Sequence, residues 1–309
     1  IELPENATQL DELKSLLELA ESVADDPEKA IPLLRGVIHE CDALVRQDQD
    51  AEDTQVPLDS AFWTVYGDAM SLLGQVEFRE DAPQIIEFVQ QAMDCYDKAL
   101  ESSVEGDGDQ QDIRMTVVKR AVTHCLLYAL NNDDEEPFND KHVKEALSNN
   151  PELPHVKAMY SGLLEAASEA DNCERVIALL HPLLFGEGAL SAMHVVDNDA
   201  ELSLIRLRLA NFYAESKLEH IVDSQGDDED QSDVKCDKEL VELSDFLVQR
   251  LEECKDDSNE SLLVKGESVM LRSSALELLT QPTDDQVTLV RTLEQSAVSL
   301  FKQAEVAGV

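Results

Sequence analysis

Glycine, proline and aromatic residues are all scarce in this 309-residue chain: 11 Gly, 10 Pro, and aromatics at 5% with a single Trp. So few Gly and Pro leave little to interrupt helices, and with Leu, Ala and Glu dominant the balance predicts helix throughout. No stretch alternates apolar and polar residues convincingly, which argues against a sheet-built core. No apolar run approaches the roughly 20 residues that span a bilayer, and no signal peptide is visible, so no membrane association is expected. Basic residues are the sharpest shortage. Lys and Arg number 24 against 66 Asp and Glu, a net charge of −42. A surface this negative repels phosphate backbones, and no basic patch offsets it, so direct nucleic-acid binding is excluded. The same field favours basic protein surfaces, mainly by speeding encounter.

Six cysteines, at 41, 95, 125, 173, 236 and 254, show no CxxC spacing. Most fall on apolar helix faces, as Cys41 does between Ile38 and Leu44, and read as reduced, buried thiols. Apolar residues make up 43% of the chain, enough for a sizeable core. They recur every three or four residues almost everywhere, which predicts an all-α fold. Thr8 is placed to cap a first helix with Leu10, Leu13, Leu16, Leu17 and Ala20 on its face. Asp26 and Pro27 open a second, whose stripe is Ile31, Leu34, Val37, Ile38, Cys41, Leu44 and Val45. Further helices are expected near 59–75, 84–103, 112–131, 140–148, 154–169, 173–184, 199–218, 236–254, 260–280 and 285–305.

Trp63, Tyr66, Gly67 and Met70 stand at the offsets of aromatic, apolar, small and bulky residues in the first helix of a tetratricopeptide (TPR) repeat, and Gly74 reads as that helix's end. Ala92, Tyr96 and Ala99 supply the small–bulky–small pattern of a second helix, and so do Ala297, Phe301 and Ala304. Small residues admit the partner helix and the bulky one fills the groove between. Val143, Ala146 and Pro151 fit the end of a second helix, and Leu209, Ala210 and Tyr213 fit a first. Spacing is irregular. The expected architecture is therefore degenerate TPR-like helical-hairpin repeats forming a superhelix. We expect a single helical-repeat domain over 1–309, with acidic loops near 47–55, 105–112 and 223–233.

Catalytic and metal chemistry find little support. The seven His are dispersed. His39 and Cys41 point about 200° apart on a helix and cannot share an ion. His124 and Cys125 diverge by about 100°, too far for a nucleophile and its base. Asp107, Asp109 and Asp112 lack the central Gly and bidentate Glu of an EF-hand loop. No P-loop, GxGxxG or GxSxG is present. No enzyme activity and no cofactor are expected. If Val37, Ile38, Cys41, Leu44 and Val45 face the core, His39, Asp42 and Arg46 share an outer stripe with Glu40 beside it. That stripe either docks a partner or caps an adjacent hairpin by hydrogen bonds. Of Phe62, Trp63 and Tyr66, which are mostly core by their offsets, Phe62 is the candidate for exposure. The partner-binding candidates are therefore His39, Glu40, Asp42, Arg46 and Phe62.

The segments GVIHECDALVR at 36–46 and PLDSAFWTVYGDAMSLL at 57–73 resemble the N-terminal part of a small fungal family. It comprises the enhancers of translation termination and the negative regulator of a prolyl-hydroxylase-like dioxygenase. His39, Glu40, Cys41 and Asp42, flanked by Gly36, Val37 and Ile38, carry the resemblance, which covers about the first 75 residues. It implies an all-helical, non-catalytic adaptor whose partner is a 2-oxoglutarate/iron dioxygenase, acting in nucleus and cytoplasm. It links that adaptor to translation termination and oxygen-responsive regulation. It also implies a basic N-terminal segment of nuclear-import type, and the residues from Ile1 onward contain none. Two other readings compete. A TPR co-chaperone needs Lys and Asn at the fifth and ninth first-helix positions to clamp a carboxylate. Those positions hold Thr64 and Asp68 in one repeat and Leu207 and Asn211 in another. A carrier of basic proteins rests on acidity alone.

Overall fold

The computed structural model describes residues 8–50, 58–78, 82–103, 110–131, 137–148, 153–170, 172–185, 199–224, 232–255, 258–279 and 282–307. Among them there is no strand, and no helix is long and apolar enough to cross a membrane. The fold is all α. Contacts divide the chain into two compact units, Ile1–Pro151 and Glu152–Val309.

The first unit holds α1 (Gln9–Ser22), α2 (Pro27–Asp50), α3 (Ser60–Glu77), α4 (Ala82–Ser103), α5 (Gln110–Leu130) and α6 (Lys141–Ser148), with a 3-10 turn at Pro137–Asn139. Its starts follow from local chemistry. The Thr8 hydroxyl accepts from the Asp11 N–H while the Asp11 carboxylate accepts from the Thr8 N–H at 2.9 Å, a reciprocal capping box. Pro27, with no N–H to leave unpaired, opens α2. The Asp59 carboxylate accepts from the Phe62 N–H at 2.9 Å, and Asp140 accepts from His142 and Val143 at 2.8 and 3.1 Å. Leu13, Leu17, Leu34, Val37, Cys41 and Leu44 from α1 and α2 close over Phe62, Tyr66 and Leu73 of α3 to form the core.

Helices α3 and α4 make the most extensive pairing in this unit. A Cβ added at Gly67 would lie 2.8 Å from the Tyr96 ring, and one at Gly74 would lie 2.8 Å from Phe88 Cβ. Two hydrogen side chains on α3 thus let α4 approach, while Ala92 and Ala99 of α4 are fully buried. Gly74 is therefore a packing residue inside α3, which continues to Glu77, and not the helix end that its small size suggested.

The second unit holds α7 (Leu153–Glu169), α8 (Cys173–Phe185), α9 (Ala200–Ser224), α10 (Ser232–Glu253), α11 (Asn259–Glu277) and α12 (Asp284–Ala307). It repeats the device. A Cβ on Gly266 of α11 would fall 2.5 Å from the Phe301 ring of α12, with Ala297 and Ala304 buried alongside. Within hairpins the helices run antiparallel, since Gly67 meets Tyr96 while Gly74 meets Phe88. Successive first helices run parallel. Thr64 and Asp68 meet Thr116 and Lys119, and Arg208 and Asn211 meet Glu260 and Val264. Antiparallel pairs stacked with their first helices in parallel are the TPR-like arrangement, present in each unit.

The three acidic stretches need correction at their edges. Residues 47–50 are the last turn of α2, 110–112 open α5, 223–224 close α9 and 232–233 open α10. The helix propensity of Gln47, Gln49, Gln110 and Gln111, with continuity from the flanking turns, carries α2 and α5 further than charge density suggested. Residues 51–55, 105–109 and 225–231 lie outside the described residues, as does Pro151.

Candidate partner-binding surfaces

Arg35, His39, Asp42 and Arg46 recur at four, three and four residues along α2, one stripe of a helix. Val37, Cys41 and Leu44 are buried on the opposite side, and Ile38 and Val45 are partly buried, so the face assignment from sequence holds. The stripe runs beside α3, and two of its members are bonded to that helix. Arg35 forms a two-pronged ion pair with Glu77. The Tyr66 hydroxyl donates to Asp42 at 2.5 Å. Burial, then this bond to a carboxylate, pushes the Tyr66 hydroxyl pKa up. Arg46 lies 3.8 Å from the same carboxylate. Asp42 is thus a fastener between α2 and α3. His39 and Glu40 are exposed and make no hydrogen bond or ion pair among the described residues.

Phe62 is a correction. It is 1% exposed, its ring meeting Trp63 edge-on at 5.3 Å and Tyr66 at 6.2 Å. Helix α3 is covered on two sides, by α2 with α1 and by α4, so the position that a lone hairpin would expose is capped by the preceding helices. Trp63 is only partly buried, stacked on Tyr66, with the Lys98 ammonium 4.5 Å above its ring.

Because Asp42 accepts from a buried hydroxyl, Asp42→Lys should cost the first unit about 1–2 kcal/mol by leaving Tyr66 unsatisfied. Glu40→Lys, on open surface, should change stability by less than about 0.5 kcal/mol. Urea unfolding followed through Trp63, the chain's sole tryptophan, reads both. Equal midpoints for the two variants would remove Asp42 from the seam and return it to the docking surface.

The first-helix face of this unit is bridged by side chains. Thr64 and Thr116 hydroxyls bond at 3.1 Å, and Asp68 takes hydrogen bonds from Tyr96 at 2.8 Å and Lys119 at 2.5 Å. The ninth-position residue that a carboxylate clamp would need is therefore an anion already paired with a lysine. Asn211 at the equivalent position of α9 is buried, donating to the Val264 carbonyl at 3.1 Å and accepting from Ser268 at 2.5 Å. Neither serves a chaperone tail.

The corresponding face of the second unit is open. A groove of 690 Å³ runs between α9 and α11, reaching Leu164 of α7 and Phe301 of α12. It adjoins a 550 Å³ depression between α7 and α9 through Leu164, Arg208 and Glu260, which line both. Nothing in the sequence reading flagged it. A signal was available: α11 buries the small residues Ser261, Gly266, Ser268 and Ser273, while Leu263 and Met270 point outward.

Reactive chemistry is muted. Burial holds the thiols of Cys41, Cys95 and Cys125 up to about 12, so they are un-ionised at neutral pH. Among the described residues no three His, Cys, Asp or Glu converge to hold a metal ion.

Residues 1–152 match a family model described as nuclear pore complex subunit Nro1. The matched stretch ends within one residue of the first compact unit, Ile1–Pro151, so the similarity coincides with that unit. The resemblance to the enhancers of translation termination holds as well. Enhancer of translation termination 1 of Candida albicans is 30% identical over 122 residues, 40% of this chain and 27% of the relative. Its counterpart in Clavispora lusitaniae is 29% identical over 132 residues, 41% and 30%. That of Lodderomyces elongisporus is 31% identical over 107 residues, 33% and 22%. The chain thus spans less than a third of the length of these curated relatives. A solved structure of Nro1, the hypoxic regulator of sterol synthesis described as a nuclear import adaptor, is similar with a TM-score of 0.46 and 16% identity, over 97% of this chain and 89% of that one.

Proposed function

We propose that this chain is a non-catalytic adaptor that binds a prolyl-hydroxylase-like 2-oxoglutarate dioxygenase and sets its location and its access to other clients. The observation that carries this reading is the coincidence of the Nro1-family match with a complete helical-hairpin unit. Within that unit, His39 and Glu40 sit on open surface, so a partner can reach them without disturbing the core. The high thiol pKa values and the absence of a converging ligand set among the described residues suit a binding protein better than a catalyst. The relatives' names extend the proposal to a role in translation termination, and the Nro1 description extends it to nuclear import with traffic between cytoplasm and nucleus.

At −42 the chain is complementary to a basic surface, and a like-charged partner would meet several kcal/mol of repulsion. Mixing the purified chain with the dioxygenase should give a complex whose association slows as salt rises from about 50 to 500 mM, where the Debye length shrinks from roughly 14 to 4 Å. Reversal at Glu40, with Arg46→Glu in parallel, should change the affinity while helicity stays constant. No complex at low salt and micromolar concentrations would end the proposal. A complex indifferent to salt would replace electrostatic docking with an apolar contact.

A further inference from the structure

The open groove of the second unit has the composition of a receptor for one kind of partner. Its floor is apolar and reachable: Leu263 is 46% exposed and Met270 40%, two helical turns apart on α11 and well outside the core. Its charged lining consists of Glu215, Glu260 and Glu267 against a single cation, Arg208, which is already ion-paired with Glu260. The neighbouring depression adds Glu165 and Glu201. From Glu260 to Ser274 the lining face of α11 extends about 21 Å at about 1.5 Å per residue. In the first unit the Thr64–Thr116 and Asp68–Lys119 bonds bridge the corresponding face.

We propose that this groove seats a basic amphipathic helix of a partner protein. Apolar residues two turns apart on that helix would lie on Leu263 and Met270, and flanking Lys or Arg would meet Glu215 and Glu267. Two charge arguments select the occupant. An acidic segment, including a second copy of this chain at −42, would add like charge to a lining whose one cation among the described residues, Arg208, is already paired. A purely basic segment would leave the apolar floor uncovered, forfeiting the part of the binding that depends on area. Met270 can re-pack around differing anchors, as flexible thioethers do in other helix-binding grooves. The inference deepens the adaptor reading by assigning a partner-binding face, and its test does not need the dioxygenase.

The test uses a fluorescently labelled synthetic peptide of Leu and Lys at helical spacing, titrated by anisotropy onto the full chain. The controls are a peptide of identical composition with scrambled order and a patterned peptide with Glu for Lys. Glu215→Lys with Glu267→Lys should weaken binding of the patterned peptide about tenfold or more, and Leu263→Ser with Met270→Ser by a similar factor. All four positions are exposed, so circular dichroism should be unchanged. The scrambled peptide should bind weakly and ignore the Leu263 and Met270 changes. Scrambled and patterned peptides binding alike would overturn the groove, leaving only diffuse attraction to an acidic protein. Patterned binding unmoved by both variant pairs would overturn it too. So would concentration-dependent dimerisation abolished by Leu263→Ser with Met270→Ser, since the occupant would then be another copy. The two proposals separate cleanly: peptide binding decides the groove, and binding of the dioxygenase to the unaltered chain decides the adaptor function.

Discussion

Replacing Phe62 with Ala should lower the stability of the first unit by about 3–5 kcal/mol, among the largest effects available from a single side chain. Phe62 is 1% exposed, at the meeting point of α1, α2 and α3, where its ring also orders Trp63 and Tyr66. Truncation removes the ring's burial and leaves a void between three helices that the fastening bonds, Asp42 to Tyr66 and Arg35 to Glu77, keep from collapsing. Urea titration followed by both Trp63 fluorescence and circular dichroism reads the change. A midpoint within error of the wild type would mean that Phe62 is a surface residue. Its place among partner contacts would then be restored.

Gly67→Ala and Gly36→Ala should have opposite signs. By helix propensity alone each gains about 0.8–1 kcal/mol. Gly36 is exposed on α2 with nothing within 4 Å of an added Cβ, so it should keep that gain. At Gly67 the added methyl would meet the Tyr96 ring at 2.8 Å, and Tyr96 is buried with its hydroxyl held by Asp68. Overpacking there costs about 1–3 kcal/mol, which outweighs propensity and makes the net change destabilising. Gly67→Val should deepen the loss. Combining Gly67→Ala with Tyr96→Leu should recover part of it, because the obstruction is that ring and the double change is non-additive. Two stabilised variants would show that α4 can move away at no cost, and the close-approach account of the hairpin would fail.

Much of this fold is legible before any coordinates, because its signals are local. Thr8, and Asp26 with Pro27, mark helix starts within one turn, and the structure adds Asp11 as the reciprocal partner of Thr8. Gly67, Tyr96 and Phe301 are visible as small and bulky residues at repeat offsets, and the structure adds Gly266 as the small partner of Phe301. What escapes is which neighbour covers a given face. A repeat template accounts for a helix's own partner and says nothing of the preceding hairpin, which is why Phe62 reads as exposed and is buried. For the same reason Asp42 reads as fit for either docking or fastening until Tyr66 is placed against it. The groove on α11 is hidden by composition. Its buried face mixes Ser261, Gly266, Ser268 and Ser273 with Val264, Val269 and Leu276, and its outward face carries Leu263 and Met270, so apolar residues on both sides blur the usual apolar-inward reading.

The sealed sulfurs make this protein its own stopwatch. Cys41, Cys95 and Cys125 in one unit, and Cys254 in the other, are at most 5% exposed, so an alkylating reagent can reach them only when the surrounding helices part. Cys173, only partly covered, marks the prompt reaction of an accessible thiol. Mass-resolved labelling of the untouched protein would therefore time the breathing of each unit separately, without introducing a probe. The same property makes the first unit deaf to mild oxidants.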